Sequence, residues 1–405
     1  MKKLLIFLLA TLALSACEQS VVDENPSIPM PPNNEIWYTS SDNDVVIPND
    51  ANVFGANIVN NSYIDGKGVI TLDGDVTLIG EEAFQYCSNL TSITIPDSVI
   101  TIGFQAFRGC ESLTSVNIPD SVTTIGDFAF AVCESLTSVT IPDSVTTIGE
   151  ALFTGCGSLT EFKGKFASED GRCLIVNGIL TSFAPGGLTE YTIPDSVTTI
   201  GKGAFGDCYS LTSVTIPDSV TTIGYAAFYN CTSLTSVNIP DSVTTIGDYA
   251  FEYCKSLTGV NIPDSVTTIG NSAFRSCTSL TSVTIGDSVT TIGDGAFYNC
   301  TSLTSVNIPD SVTTIGEHAF YYCKSLTSVN IPDSVTTIGE EAFYDCGSLK
   351  SVYCKATTPP ALGGTHVFDD NGSGRKIYVP AGSVEAYKSS EYWSEYASAI
   401  VGYNF

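Results

Sequence analysis

Histidine is nearly missing from this chain: His318 and His366 are the only two in 405 residues, and neither stands at a recognisable catalytic spacing. His318 fills a variable repeat position that in other coils includes Ala, Gly, Ser and Glu, so it reads as a surface residue. Basic residues are scarce as well, with 16 Lys and Arg against 43 Asp and Glu and a net charge of −27. Such a surface repels nucleic acid phosphates and anionic lipid headgroups, which excludes both as partners of the folded body. Only one apolar run is long enough to notice, Leu4–Leu14, and it is too short to span a bilayer. Cysteines and histidines at short spacing, as a zinc site requires, do not occur, and nothing calls for a cofactor.

What the chain has instead is repetition. The phrase Ile-Pro-Asp-Ser-Val-Thr-Thr-Ile-Gly-x-x-Ala-Phe-x-x-Cys-x-Ser-Leu-Thr-Ser-Val-x recurs with little change, and its Phe falls at 84, 107, 130, 153, 205, 228, 251, 274, 297, 320 and 343. Every step is 23 residues except Phe153 to Phe205, which is 52. A fixed period of this size predicts a solenoid whose units bury their apolar faces against one another. Leu113, Val116 and Ile118 have the spacing of a short strand, and Val122 and Ile125 continue the inward set. Gly126 breaks the strand, and Ala129, Phe130 and Cys133 sit as one face of a helical turn would require. Acidic residues after that Gly, such as Asp127 and Glu150, suit the positive end of a short helix. The expected fold is a repeat solenoid, mainly β with short helical turns.

On these motifs the chain resembles the BspA-like leucine-rich-repeat proteins, surface proteins of Bacteroides-type bacteria. The resemblance covers Asp75 to about Val352 closely. It implies a curved right-handed array of 23-residue coils and roles in adhesion to host proteins or other cells.

Eleven cysteines, from Cys87 to Cys346, occupy one inward column and read as a buried ladder of small side chains rather than disulfides. Asp97, Asp120 and their eight successors precede Ser at the next turn, where Asp and Ser satisfy turn backbone groups; the other reading is a carboxylate ladder for cations. Outward strand positions are Thr, Ser and Asn in nearly every coil. Variation is concentrated between Gly and Leu, where Tyr253, Tyr298, Tyr321, Tyr322 and Tyr344 flank the inward Ala and Phe. Because Tyr298, Tyr321 and Tyr344 each follow an inward Phe, they should point outward and stack on one another as a candidate binding ridge.

The 52-residue interval holds Asn177-Gly178 between two β-rich runs, a hairpin signal that reads either as a structural irregularity or as a projecting binding element. The expected division is a signal segment at 1–16, a Pro-rich lipid-anchored tether at 17–34, an N-terminal cap at 35–74, a solenoid at 75–352 with a hairpin insertion near 163–187, and a C-terminal cap at 353–405. In the last, Lys376–Val379 reads as a strand, Ser383 caps a short helix through Lys388, and Trp393 and Tyr396 cover the final coil.

Leu14-Ser15-Ala16-Cys17 resembles the lipobox of bacterial lipoproteins, which implies a lipid on Cys17, export, and residence at the outer membrane or cell surface. The sequence therefore points away from an enzyme and toward a surface module for extracellular proteins or glycans; the alternative is a structural spacer or surface-layer component. Cys17→Ala should move the protein from the membrane fraction to the soluble fraction. A variant that stays with the membrane would refute the lipid anchor.

Overall fold

The computed structural model describes residues 30–405 apart from Ala51, so Cys17 and the leader lie outside the described residues. No helix among the described residues is long and apolar enough to cross a membrane. The molecule is a β-solenoid of about 14 coils, each close to 23 residues, with almost no helix. Each coil has three sides. Two are short strands, such as Ser236–Asn238 and Thr245–Ile246, and these pair in parallel and in register with the strands of the coils before and after. Equivalent residues therefore stack on equivalent residues: Val214 on Val237, Ile223 on Ile246.

The third side, from Gly to Cys, is where the helical turn was expected, and it is built differently. Ala83, Gln85 and Cys87 donate to carbonyls three residues back, as a helical turn would, but Glu82, Phe84 and Tyr86 donate to Phe104, Ala106 and Arg108 of the next coil. Every second N–H thus leaves the coil, which a continuing helix cannot allow. The geometry is achieved by placing the second and sixth residues after the Gly in the left-handed region: Glu82 at φ 55° and Tyr86 at φ 60°, with the same two positions repeating along the array. For the same reason the acidic residues after Gly do not meet a helix N-terminus. Asp127 and Asp294 instead accept the backbone N–H of Glu150 and Glu317, the same position one coil later, at 2.9 Å each.

The repeated Gly has a steric purpose. A Cβ on Gly126 would lie 2.7 Å from Phe104 N and 2.8 Å from Gly103 C, so the backbones of successive coils pass too closely there for any side chain. Ser of the Pro-Asp-Ser turn donates to the preceding coil, as in Ser121 Oγ to Val99 O at 2.7 Å. Its Asp neighbours are exposed; Asp264 accepts Asp287 N at 2.8 Å, where Gly286 stands in place of the usual Pro.

Inside, the Phe column forms a continuous stack, with centroids 5.1 Å apart for Phe228–Phe251 and 5.2 Å for Phe251–Phe274. The cysteines beside it are all free and buried. They are more than small apolar fillers: Cys254 Sγ donates to Phe228 O at 3.2 Å, and the same bond to the preceding coil recurs from Cys110 to Cys346 with Cys208 excepted. The thiol gives the Phe carbonyl a second donor in a place water cannot reach.

The 52-residue interval skips the third side. Cys173–Val176 and Ile179–Phe183 form an antiparallel hairpin, and its second strand pairs in parallel with Thr199–Ile200. The chain thus gains rungs on its two strand sides and none on the turn side, where Gly155 N reaches Gly206 O directly at 3.3 Å. Phe162 and Phe183 fill the break in the Phe stack, tilted against Phe153 and Phe205. The core divides here into one cluster from Ile36 to Ala184 and a second from Cys173 to Ile400.

At the start, Glu35–Ser40, Ile58–Ile64 and Lys67–Leu72 make an antiparallel sheet that attaches to Leu90–Thr94. At the end, Lys376–Pro380 is a strand and Val384–Ser389 a helix. Ser383 stands at the N-cap of that helix but its side chain makes no capping bond; its hydroxyl donates instead to Thr357 O at 2.8 Å, since the residue is buried against the last coil. Trp393 is fully buried with Nε1 on Pro360 O at 2.7 Å, and it terminates the aromatic stack through Phe368.

Burial pushes the thiol of Cys87 up to about 11 and those of Cys300 and Cys346 up to about 12. An unfolded thiol ionises near pH 8.5, so above that pH the folded chain holds more protons than the unfolded one. The thiol contribution is intact below pH ~8.5 and lost as pH rises toward about 12. The urea midpoint should fall steeply between pH 8 and 10, while maleimide labels native thiols slowly and denatured thiols fully. An unchanged midpoint, or extensive disulfides by mass spectrometry, would contradict the buried thiol column.

Candidate functional site

The inward positions of the turn side are nearly invariant, so chemistry that differs between coils sits on its outward positions: the first, second, fifth and sixth residues after the Gly. Tyr298, Tyr321 and Tyr344 occupy the fifth position of three successive coils. Their rings stack face to face, with centroids 4.8 Å and 5.2 Å apart and interplanar angles of 0° and 12°. Coil spacing near 4.8 Å is set by the backbone ladder, and it also suits parallel aromatic rings. The ridge forms because one sequence position is repeated at that pitch.

Charged groups frame the ridge. The Arg275 guanidinium, from the same position one coil earlier, lies 4.7 Å from the Tyr298 ring centroid. Tyr322 is exposed beside Tyr321, its ring 6.3 Å away, and Lys324 Nζ lies 4.0 Å over it while also pairing with Asp345. His318 sits 5.6 Å from Tyr321, with Nε2 3.1 Å from Glu341. At the far end the Asp370 carboxylate beside its hydroxyl pushes Tyr344 up to about 12, so its proton stays available for donation across the physiological range.

The other sequence candidates fall elsewhere. Tyr253 stands three coils before Tyr322, separated from it by Ser276 and Asn299 at the same position, and packs edge-on to Tyr229 at 5.7 Å and 90°. Asn177 and Gly178 form the tip of the hairpin with φ of 51° and 80°, as a tight two-residue turn needs. That tip is tied into the array, since Gly178 O accepts Thr198 N at 2.8 Å, although Asn177 itself is exposed. It shares the strand row with Thr198 and Thr199, apart from the tyrosines. The sequence reading did not single out Arg275 or Lys324. The signal for Arg275 was its column, shared with Tyr298; Lys324 lies two residues after Tyr322.

Among the described residues no group of His, Cys, Asp and Glu could hold a metal. His366 bonds Asp369 through Nδ1 at 2.9 Å near the C-terminal end, which holds its imidazole above the ordinary value. The turn side offers flat aromatic area, hydroxyls and framed cations. Such groups bind by contact; no nucleophile and base converge among them.

The model for the BspA type leucine rich repeat region matches the chain in six copies, over residues 70–168, 181–304 and 244–373. Among solved structures, the chain is similar to a leucine-rich repeat protein from Eubacterium ventriosum, at 26% identity over 74% of this chain and 81% of that one, with a TM-score of 0.56. It is also similar to a leucine rich cell surface protein from Faecalibacterium prausnitzii, at 32% identity over 68% and 76%, TM-score 0.49. The pneumococcal vaccine antigen PcpA shares the fold at 20% identity over 86% and 87%, TM-score 0.52. The comparison with curated proteins finds no match.

Proposed function

The chain belongs to the BspA-type leucine-rich repeat proteins, and on that footing we propose that it is a cell-surface binding solenoid for extracellular proteins or glycans, held at the membrane by a lipid on Cys17, and not an enzyme. The observation that carries the binding role is the Tyr298–Tyr321–Tyr344 ridge with Arg275 and Tyr322 at its flanks. Tyr supplies large contact area with little rotamer freedom to lose, and Arg a planar fork of donors that also stacks on aromatic rings, which is why both concentrate the energy of recognition surfaces. A ridge along the array axis also presents area that no single coil could provide.

A second reading, a spacer without a specific ligand, is favoured by the strand side. Its Thr hydroxyls donate to carbonyls of the preceding coil, as Thr235 does to Thr212 O at 3.1 Å and Thr281 to Thr258 O at 2.9 Å. Hydroxyls engaged in this way have less to offer a partner, and one strand row looks like the next.

Replacing Tyr298, Tyr321 and Tyr344 together with Ser separates the two readings. Binding of the full chain to immobilised matrix proteins should weaken at least tenfold, about 1.4 kcal/mol. The unfolding midpoint should change little, since outward rings contribute mainly to one another. Equal binding by wild type and the triple variant would remove the ridge as the contact surface, and no binding by the wild type would favour the spacer.

A further inference from the structure

The turn side carries a second feature, at the place where the long interval skips it. Outward positions that elsewhere hold Tyr, Arg or Phe are small over three consecutive turn segments: Ala131, Thr154 and Gly206 at the fifth position, and Ala151, Gly203 and Ala226 at the second. All but Gly206 line a trough of about 430 Å³ across the junction. The accessible part of its floor is Thr154 and Ala226, both half-buried, while Ala131 and Ala151 are covered, at 2% and 1% exposed, although they sit at outward positions. Phe128 forms one wall. Tyr225 and Tyr249, 5.2 Å apart at 61°, form the other with Tyr229, which Tyr253 buttresses from behind.

The charges in the trough are balanced. Lys202 Nζ lies between the walls, 5.1 Å from the Phe128 ring and 5.5 Å from Tyr225, with Arg108 on the same lining. Opposite them are Asp207 and Glu252. Glu252 is 6% exposed, and its ion-pair partner is Arg275 Nε at 3.5 Å, a contact that leaves that buried Nε without a hydrogen bond. A buried carboxylate so loosely held beside a cavity has acceptor capacity to spare.

These features select a ligand class. An anionic ligand meets Asp207 and Glu252, a cationic one meets Lys202 and Arg108, and an aliphatic one leaves Glu252 unsatisfied. A ligand with flat C–H faces and donors and acceptors around its edge satisfies both the apolar floor and the charged rim. We infer that the trough is a carbohydrate site, taking a sugar ring of a neutral oligosaccharide on Thr154 and Ala226 between Phe128 and the tyrosines of the opposite wall. The inference rests on the reading of the turn side as a binding surface, but it places the sugar three to five turn rungs away from Tyr298, counted from Ala226 and from Thr154.

The test uses four probes, chitotriose, cellotriose, maltotriose and mannotriose, titrated into the full chain by calorimetry and saturation-transfer NMR. At least one should bind. Thr154→Tyr and Ala226→Tyr should each weaken it tenfold or more by filling the trough, and these variants place Tyr where neighbouring coils already hold Tyr229 and Tyr249. Tyr403→Ser, which removes an exposed aromatic at the C-terminal end, should leave sugar affinity unchanged. The inference is overturned if none of the four binds at millimolar concentration, or if sugar binding survives both filling variants. Ridge-dependent binding to matrix proteins, if retained in that case, would show that the carbohydrate site alone had failed.

Discussion

The N–H groups of Glu82, Phe84 and Tyr86 find no acceptor in their own coil, and the need to reach carbonyls in the next one governs most of what surrounds them. Coils must lie one hydrogen bond apart on all three sides at once. That spacing leaves no room for a Cβ on Gly126 and fixes which residues can stack. It makes Cys useful as a buried donor to the Phe carbonyl of the preceding coil, and it sets the Ser and Thr hydroxyls to work on carbonyls of that same coil. A period of 23 residues is the chain length that meets all these bonds together.

The same constraint decides where variety is permitted. Inward positions are shared with two neighbours, so changing one requires matching changes in both. The second and sixth positions after Gly project outward from left-handed backbone whose conformation the neighbouring coils already impose. They accept Phe128, Val132, Tyr249, Ser276 and His318 at nearly the same φ, at a cost of about 1–2 kcal/mol each relative to Gly. Side-chain variety is thereby concentrated on one side, while the strand sides carry hydroxyls that largely bond within the array.

Much of this was legible in the residues. Period, inward Phe and Cys, and the outward stacking of Tyr298, Tyr321 and Tyr344 follow from repetition alone, because equal spacing brings equal side chains together. The turn side was less legible, since Ala, Phe and Cys at helical spacing also fit a run of reverse turns. A signal was present in Gly109, Gly155, Gly203 and Gly295, joined by Asn230, Asn299, Asp207 and Asp345 at the same two positions, the residue types that tolerate positive φ. The thiol donor could not be read, because Cys is equally at home as an apolar filler. The long interval announced its hairpin through Asn177-Gly178, but not that the chain would turn back before the third side. That depends on Gly186 N bonding Leu159 O at 2.7 Å and Arg172 holding the carbonyls of Ala184 and Gly186, contacts with no local pattern.

The division of the core at this interval bears on how such a chain changes over generations. Near-identical repeats are prone to unequal recombination, which adds or deletes whole coils. Each coil touches only its neighbours, so a block can lengthen or shorten while the rest keeps its contacts. The 52-residue interval has no sequence equal with which to recombine, and it stands between the two blocks as a fixed landmark. The reach of the molecule can then drift with copy number on either side of a junction that stays single.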